Sequence, residues 1–178
     1  MAKPLILIVA AIPVVLAIMI AIPMISNPQI PFNAANADDH ISVEFTKHHL
    51  KKISFGLTDR LSADRTEILR ISNDGTARYL LTSEGTPRPE KTVLLEKADV
   101  KRLTALVKET GFMQIPIDSI SADEQKTEYT KFSLKVVLNG NTKQIQWVEQ
   151  NATSALVPPI VSQVESSLES LLRKVNSQ

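Results

Sequence analysis

An uncharged apolar run near the N-terminus constrains this chain more than any other feature of its sequence. Pro4 to Ile25 contains no charged and almost no polar side chain. As a helix, these 22 residues would be about 33 Å long, which matches a hydrocarbon core of about 30 Å. Pro13 lies in the middle of the run, where membrane helices tolerate a kink better than exposed soluble helices do. The sequence therefore predicts a transmembrane anchor over residues 4–25.

The charges on either side of the run predict its orientation. Lys3 and the α-amino group precede it, whereas Asp38 and Asp39 follow it. Because positive residues stay on the cytoplasmic side of membrane helices, we expect a cytoplasmic N-terminus and an extracytoplasmic C-terminal domain on the cell membrane. Residues 26–37 contain two prolines and several Asn and Ala residues, which is typical of an extended linker.

A cleaved signal peptide is the alternative interpretation of the same segment. Ala35-Asn36-Ala37 fits the A-x-A pattern that precedes a signal-peptidase site. The apolar region of a signal peptide is usually about 7 to 15 residues long, whereas this run is longer and ends well before the candidate site. The spacing therefore favours a retained, single-pass anchor.

The rest of the sequence has the composition of one soluble domain. Lys3 is the only charged side chain before Asp38, so residues 38–178 carry 19 basic and 19 acidic side chains. A nucleic-acid-binding domain would usually show a strong basic excess. No cysteine is present, which excludes disulfides, thiolate nucleophiles and cysteine-based zinc sites. We expect one extracytoplasmic domain over residues 38–178, stabilised by a hydrophobic core.

Alternation of apolar and polar side chains predicts antiparallel strands. Asn73-Asp74-Gly75 and Asn139-Gly140 are each flanked by apolar stretches and are typical of hairpin turns, because these residues accept a positive φ. The predicted strands are His40–Lys47, Ile53–Leu57, Thr66–Ser72, Ala77–Thr82, Thr92–Leu95, Phe132–Leu138 and a last strand that carries Ile145 and Trp147.

Two amphipathic stretches predict helices. Ala98 to Thr110 carries an apolar stripe and is followed by Gly111, which is a common residue after the end of a helix. Pro158 and Pro159 open a second stripe that runs from Ile160 to Val175. Short connections between strands and helices favour an α+β fold in which both helices pack on one face of an antiparallel sheet.

Three segments resemble a family of uncharacterised, membrane-anchored exported proteins of ammonia-oxidising archaea. These segments are Leu69–Gly75, Lys108–Pro116 and Leu138–Ile145. The resemblance implies an exported location and no particular activity. In such archaea the membrane holds a copper-dependent ammonia monooxygenase with small accessory subunits, and a single-helix protein with an outward domain would suit that role. More loosely, the order of hairpin, helix ending in Gly-Phe, hairpin and helix resembles emfourins, which are small inhibitors of thermolysin-like peptidases.

Histidine occurs only at His40, His48 and His49, near the predicted linker. Adjacent residues of a strand point to opposite faces, so His48 and His49 should not form one site, and we expect solvated side chains. Cleavage after Ala37 would nevertheless expose Asp38-Asp39-His40 as a free terminus. Its amine, two backbone amides and imidazole would form a square-planar nitrogen set that suits Cu(II) or Ni(II).

No signature of a catalytic site or cofactor site is present, so neither catalytic residues nor a cofactor are predicted. Asn151-Ala152-Thr153 fits the N-glycosylation pattern, with Asn151 as the acceptor. Loops 84–90 and 119–127 are polar and are the predicted contact surfaces for a protein partner, and the second loop is expected to be mobile. An aromatic contact patch made by Trp147, Tyr79 and Tyr129 is an alternative, although Trp147 shares a strand face with Ile145 and is expected in the core.

These features favour a non-catalytic, membrane-anchored interaction domain, for example an accessory subunit of a membrane enzyme complex. An emfourin-like peptidase-inhibitor module and a copper-binding exported protein are the alternatives. The first predicts lasting association with other membrane proteins. The second predicts a loop that enters a protease cleft, and the third requires the free terminus at Asp38.

Overall fold

The computed structural model of the chain describes residues 34–177. The strands are β1 (Ile41–Phe55), β2 (Thr58–Ile71), β3 (Thr76–Ser83), β4 (Thr86–Pro87), β5 (Lys91–Leu94), β6 (Glu128–Leu138) and β7 (Asn141–Val148). The α-helices are α1 (Lys97–Glu109) and α2 (Pro159–Ser177), and single 3₁₀ turns occupy Phe112–Gln114 and Gln150–Ala152. The predicted anchor at 4–25 and most of the predicted linker lie outside the described residues. Within the described residues, no helix is both long and apolar enough to cross a bilayer.

All strand pairs of the seven-stranded sheet are antiparallel, in the order β4-β3-β2-β1-β6-β7, with β5 also paired to β3. The two predicted turns are present. Asn139 and Gly140 have φ values of 50° and 83° in the β6–β7 turn, and Gly75 has a φ of 87° in the β2–β3 turn. Only residues that accept a left-handed backbone suit such positions, so these short sequences specify the hairpins locally.

The helices begin and end near the predicted residues. Helix α1 is followed by Gly111, whose φ of 67° ends the helical path. Helix α2 begins at Pro159, where the missing amide hydrogen costs no intrahelical bond. Its buried stripe is the predicted one except at the first turn, where Val161 is buried in place of the half-buried Ile160.

The hydrophobic core lies on one face of the sheet, because every second strand residue points there. Phe45, Phe132 and Trp147 come from three adjacent strands and stack with ring centroids 5.4–6.4 Å apart. Helix α2 covers this stack, since Trp147 Nε1 donates a hydrogen bond to Glu165. Helix α1 packs beside α2. The predicted α+β fold with an antiparallel sheet and two helices is therefore confirmed.

Two predictions about individual segments were wrong. The sequence suggested two separate strands at 40–47 and 53–57, but β1 is continuous and pairs with a β2 that begins eight residues before the predicted strand. The predicted mobile loop at 119–127 is partly fixed to the sheet. Ile120 is buried and its amide donates to the Gln146 carbonyl, so this segment covers the outer edge of β7.

The burial pattern predicts very different responses at two leucines. Leu134 is fully buried in β6, so Leu134→Ala should lower the free energy of unfolding by about 2–5 kcal/mol. Leu57 is fully exposed at the β1–β2 turn, so Leu57→Ala should change it by less than about 0.5 kcal/mol. Urea denaturation of both variants measures the difference. Equal losses would contradict the core assigned here.

Candidate interaction surfaces

The segment that joins the domain to the predicted linker is fixed by Asp39. Its Oδ2 accepts hydrogen bonds from Lys108 Nζ and the Asn36 amide, at 2.8 and 2.7 Å, and its Oδ1 accepts one from Asn139 Nδ2 at 2.8 Å. These bonds stabilise the carboxylate and lower its pKa from 3.8 to about 2, with Lys108 as the largest cause. Residues 36–39 therefore form a latch between the linker, helix α1 and the β6–β7 turn.

The latch contains Asp38 and Asp39 of the predicted copper site, and His40 follows it directly. The His40 amide donates to Asn139 Oδ1 at 2.8 Å, and the Asp39 amide donates to the Asn36 carbonyl at 3.3 Å. A copper complex that used these two amide nitrogens would have to displace both bonds. Within residues 34–177, no group of three or more His, Cys, Asp or Glu side chains is placed to hold a metal ion. The copper site depends on backbone nitrogens of a cleaved chain and stays a prediction.

The far end of the β1–β2 hairpin projects from the sheet as an arm, defined here as residues 53–63. Pairing of β1 with β6 ends at Lys51, apart from one further bond from the Lys52 amide, and pairing of β2 with β3 begins only at Arg65. At about 3.3 Å per residue, the arm extends roughly 10 Å past β6 and 20 Å past β3. Asp64 is the extra residue of a β-bulge at its base, a feature that increases local strand twist.

Exposed apolar side chains are concentrated on the arm. Ile53, Leu57 and Leu61 are 40%, 105% and 48% exposed, and they are three of the six exposed large apolar side chains given for the described residues. Gly56 has a φ of 69° at the first position of the two-residue turn, as a type II′ turn requires, so Leu57 lies at the apex. A two-stranded ribbon is only marginally stable in water by itself. Clustered exposed apolar side chains often mark a surface that binds another molecule, so the arm is a candidate recognition element.

The arm also carries charge. Lys52 and Asp59 form a cross-strand ion pair of 2.7 Å, and Ser54 donates a hydrogen bond to Asp59. These contacts lower the pKa of Asp59, with Lys52 as the first cause. Lys51 and Arg60 add two more cations, so the end of the hairpin carries three cationic side chains and one carboxylate.

A groove of about 570 Å³ lies between helix α2 and the ends of strands β6 and β7. The largely buried Phe132 and Trp147 rings form its floor, and the largely buried Val157 also lines it. Its lining residues are Lys47, Thr130, Phe132, Trp147, Val148, Glu149, Gln150, Val157, Ser162, Glu165, Ser166, Glu169 and Arg173. The groove thus combines an apolar floor with charged walls.

Carboxylates outnumber cations in the groove. Glu149, Glu165 and Glu169 face Lys47 and Arg173, and the Lys47 ammonium lies 2.6 Å from Glu169. Burial raises the pKa of Glu165 above its ordinary value of 4.5, and the nearby Glu169 raises it further, although the Trp147 hydrogen bond opposes both effects. The position of Glu165 in the groove therefore favours its protonated form.

A polar cluster adjoins the groove on the same face of the sheet. Glu67 is 5% exposed and accepts a hydrogen bond from Tyr79 Oη at 2.7 Å and an ion pair from Arg65 at 3.1 Å. Burial and the Glu67 hydrogen bond raise the pKa of Tyr79. Because its donors satisfy Glu67, the cluster holds β2 and β3 together and provides no free nucleophile.

The histidines are less solvated than the sequence suggested. His48 Nδ1 lies 3.0 Å from Thr66 Oγ1, and His49 Nδ1 lies 3.2 Å from Thr130 Oγ1, and both rings are half-buried. They point to opposite faces of β1, as predicted. Only His40 is exposed.

The other predicted residues are dispersed over the domain. Asn151 is exposed on a 3₁₀ turn, so glycosylation there stays a prediction. Trp147 and Tyr79 are 1% and 4% exposed, which places both in the core and rules out a surface patch made by these rings. Loops 84–90 and 119–127 lie on different sides of the arm, since the first follows β3 and the second precedes β6.

The sequence predicted a strand at Ile53–Leu57 but not the arm, because residues 58–63 show no clear alternation of apolar and polar side chains. The signal that could have revealed it is Phe55-Gly56-Leu57-Thr58, in which a glycine occupies the first position of a two-residue turn. The groove gave no local signal, because its walls come from distant segments.

Comparison with known proteins finds no matching protein-family model and no matching curated protein. The two resemblances described from the sequence therefore stay predictions, and the functional argument rests on the domain itself.

The latch predicts a pH-dependent contribution of Asp39 to stability. Its pKa is lower in the folded state than in the unfolded state, so the contribution is complete above about pH 4 and disappears as the pH falls toward 2. Asp39→Asn should lower the free energy of unfolding by about 1–2 kcal/mol at pH 7. Denaturation series at several pH values measure this loss. The neighbouring, exposed Asp38→Asn is the control, and an equal effect there would exclude the latch.

The raised pKa of Glu165 predicts the opposite dependence. Ionised Glu165 reduces stability above its folded pKa, and this effect disappears as the pH falls to 4.5. Glu165→Gln should therefore raise the free energy of unfolding at pH 8 and leave it unchanged near pH 4. The fluorescence of Trp147, the only tryptophan, should titrate with a midpoint above 4.5 in the wild type and lose this titration in Glu165→Gln. Glu124→Gln, on an exposed loop, should retain the titration.

Proposed function

We propose that this chain is a non-catalytic interaction protein of the cell membrane. Residues 4–25 anchor it as a single-pass helix, and the extracytoplasmic domain binds a protein partner through the arm. An accessory subunit of a membrane enzyme complex fits this description, and the archaeal ammonia monooxygenase is the example that the sequence resemblance implies.

The observation that carries the proposal is the apolar apex of the arm. The described side chains of residues 53–63 are all exposed, so they contribute nothing to the core, and the domain would close equally well with a shorter hairpin. Burying one leucine side chain of this kind at an interface stabilises a complex by about 1.5–3 kcal/mol. A partner that covers Leu57 would therefore gain binding free energy from this side chain.

The charges of the arm support a protein partner. Arg60 lies three residues from the apex and Lys51 and Lys52 lie at the base of the arm, and interfaces commonly combine an apolar centre with a charged rim. The rim would steer the arm to a partner surface that carries carboxylates. The proposal therefore takes the arm as the main contact, whereas the sequence analysis had suggested loops 84–90 and 119–127.

Replacement of the arm tests the proposal. Residues 53–60 are replaced by Asn-Gly, which joins the paired residues Lys52 and Leu61 through a tight turn. Native membranes are solubilised gently, intact complexes are resolved by size, and the co-migrating proteins are identified by mass spectrometry. The wild type should migrate in a complex, whereas the shortened chain should migrate alone with unchanged stability.

The matched control is Leu94→Asp, which alters an exposed leucine outside the arm that is 73% exposed. This variant should keep every partner. Retention of all partners by the shortened chain would contradict the proposal. Extraction of the chain from membranes by alkaline carbonate would contradict the anchor separately. Inhibition of a thermolysin-like peptidase that survives arm replacement would support the inhibitor alternative.

A further inference from the structure

The small residues of the predicted signal-peptidase motif belong to the folded domain. Ala35 is 6% exposed, and it lines a cleft of about 390 Å³ together with Gly75 of the β2–β3 turn and Val100 of α1. A peptidase that recognises the A-x-A pattern has to bind both Ala35 and Ala37 before it cuts after Ala37. Ala35 cannot enter a peptidase while it lines this cleft.

The latch also fixes the backbone around the candidate bond between Ala37 and Asp38. The Asn36 amide donates to Asp39 Oδ2 at 2.7 Å, and the Asp39 amide donates to the Asn36 carbonyl at 3.3 Å. Ala37 and Asp38 lie inside the turn that these two bonds close. Hydrogen-bonded and buried backbone resists proteolysis, because it must open before a peptidase can bind it.

The contacts that hold this turn come from distant parts of the domain. Lys108 of α1 and Asn139 of the β6–β7 turn both donate to the Asp39 carboxylate, and the Asp39 side chain is 6% exposed. Asn139 Oδ1 also accepts a hydrogen bond from the His40 amide. Because Lys108 and Asn139 follow Asp39 by 69 and 100 residues, the latch closes only when the domain folds.

We propose that the latch covers a peptidase cleavage site between Ala37 and Asp38, so that the folded domain protects its own attachment to the membrane. Opening of the latch exposes the site to a signal peptidase. Hydrolysis adds water across this peptide bond and leaves a carboxylate on Ala37 and an amino group on Asp38. The inference rests on the proposed function, because this cut separates the domain from the proposed anchor at residues 4–25.

The rate of cleavage then depends on how often the latch opens. When opening and closing are fast relative to cutting, proteolysis follows the population of the open form. Hydrogen bonds to charged groups contribute more to stability than neutral ones do. Loss of one such bond from the latch should raise the open population, and with it the rate of cleavage, by about 5- to 30-fold.

Lys108→Met tests this dependence without altering the residues that the peptidase binds. The full-length chain in detergent is incubated with a purified signal peptidase, and mass spectrometry follows the fragment that begins at Asp38. Cleavage of Lys108→Met should be about 5- to 30-fold faster than that of the wild type. Asn139→Gly should also accelerate it, because glycine accepts the positive φ of this position but removes both Asn139 contacts.

Two control variants separate the latch from a general loss of stability. Lys47→Met removes another ion pair of α2, since Lys47 Nζ lies 2.6 Å from Glu169, and Leu134→Ala destabilises the core. Both variants should be cut at the wild-type rate, because the latch opens without unfolding of the core. Equal acceleration by Leu134→Ala and Lys108→Met would overturn the inference, and so would an unchanged rate in Lys108→Met or no cleavage of any variant.

The combination of Lys108→Met with Ala37→Leu identifies the bond that is cut. Ala37 is exposed, so the larger side chain is compatible with the fold, but leucine does not fit the small-residue pattern before the cut. The fragment that begins at Asp38 should disappear, and its persistence would overturn the inference. Failure of these tests would leave the anchor intact, whereas extraction of the uncut chain from membranes by alkaline carbonate would contradict the anchor itself.

Discussion

The burial of one face of the sheet by helix α2 is the constraint on which the remaining structure depends. The stacked rings of Phe45, Phe132 and Trp147 belong to three adjacent strands, so they must lie at the same level of the sheet to touch. The hydrogen bond from Trp147 to Glu165 and the ion pair between Lys47 and Glu169 hold α2 across that level. Without disulfides, this packing sets the position of every other element.

The same packing creates the groove. A helix that crosses a twisted sheet cannot follow every strand end, so a space remains between α2 and the edge of the sheet where β6 begins and β7 ends. One wall of the groove is formed by polar side chains of α2, whose buried stripe on the neighbouring face is apolar. The carboxylates there are all partly solvated, and Glu165, which accepts the Trp147 hydrogen bond, has a pKa raised mainly by burial.

The arm and the latch occupy opposite ends of β1. At Ile41 the chain enters the sheet through the Asp39 bonds, and at Phe55 it turns at the apex. Continuity of one 15-residue strand makes the two ends mechanically connected, because a β-strand in a sheet extends but does not fold back. The proposed contact with a partner and the junction with the proposed anchor are thus parts of one rigid strand.

The sequence by itself determined the elements whose signals are local. Asn139-Gly140 and Asp74-Gly75 set hairpin turns, and the helical stripes and alternating residues identified most of the core, because turn geometry and periodicity act within a few residues. The tertiary structure alone decided the continuity of β1, the groove and the latch. Asp39 contacts Lys108 and Asn139, which are 69 and 100 residues away in the sequence. Such contacts depend on which strands pair, and the residues next to Asp39 in the sequence do not determine that pairing.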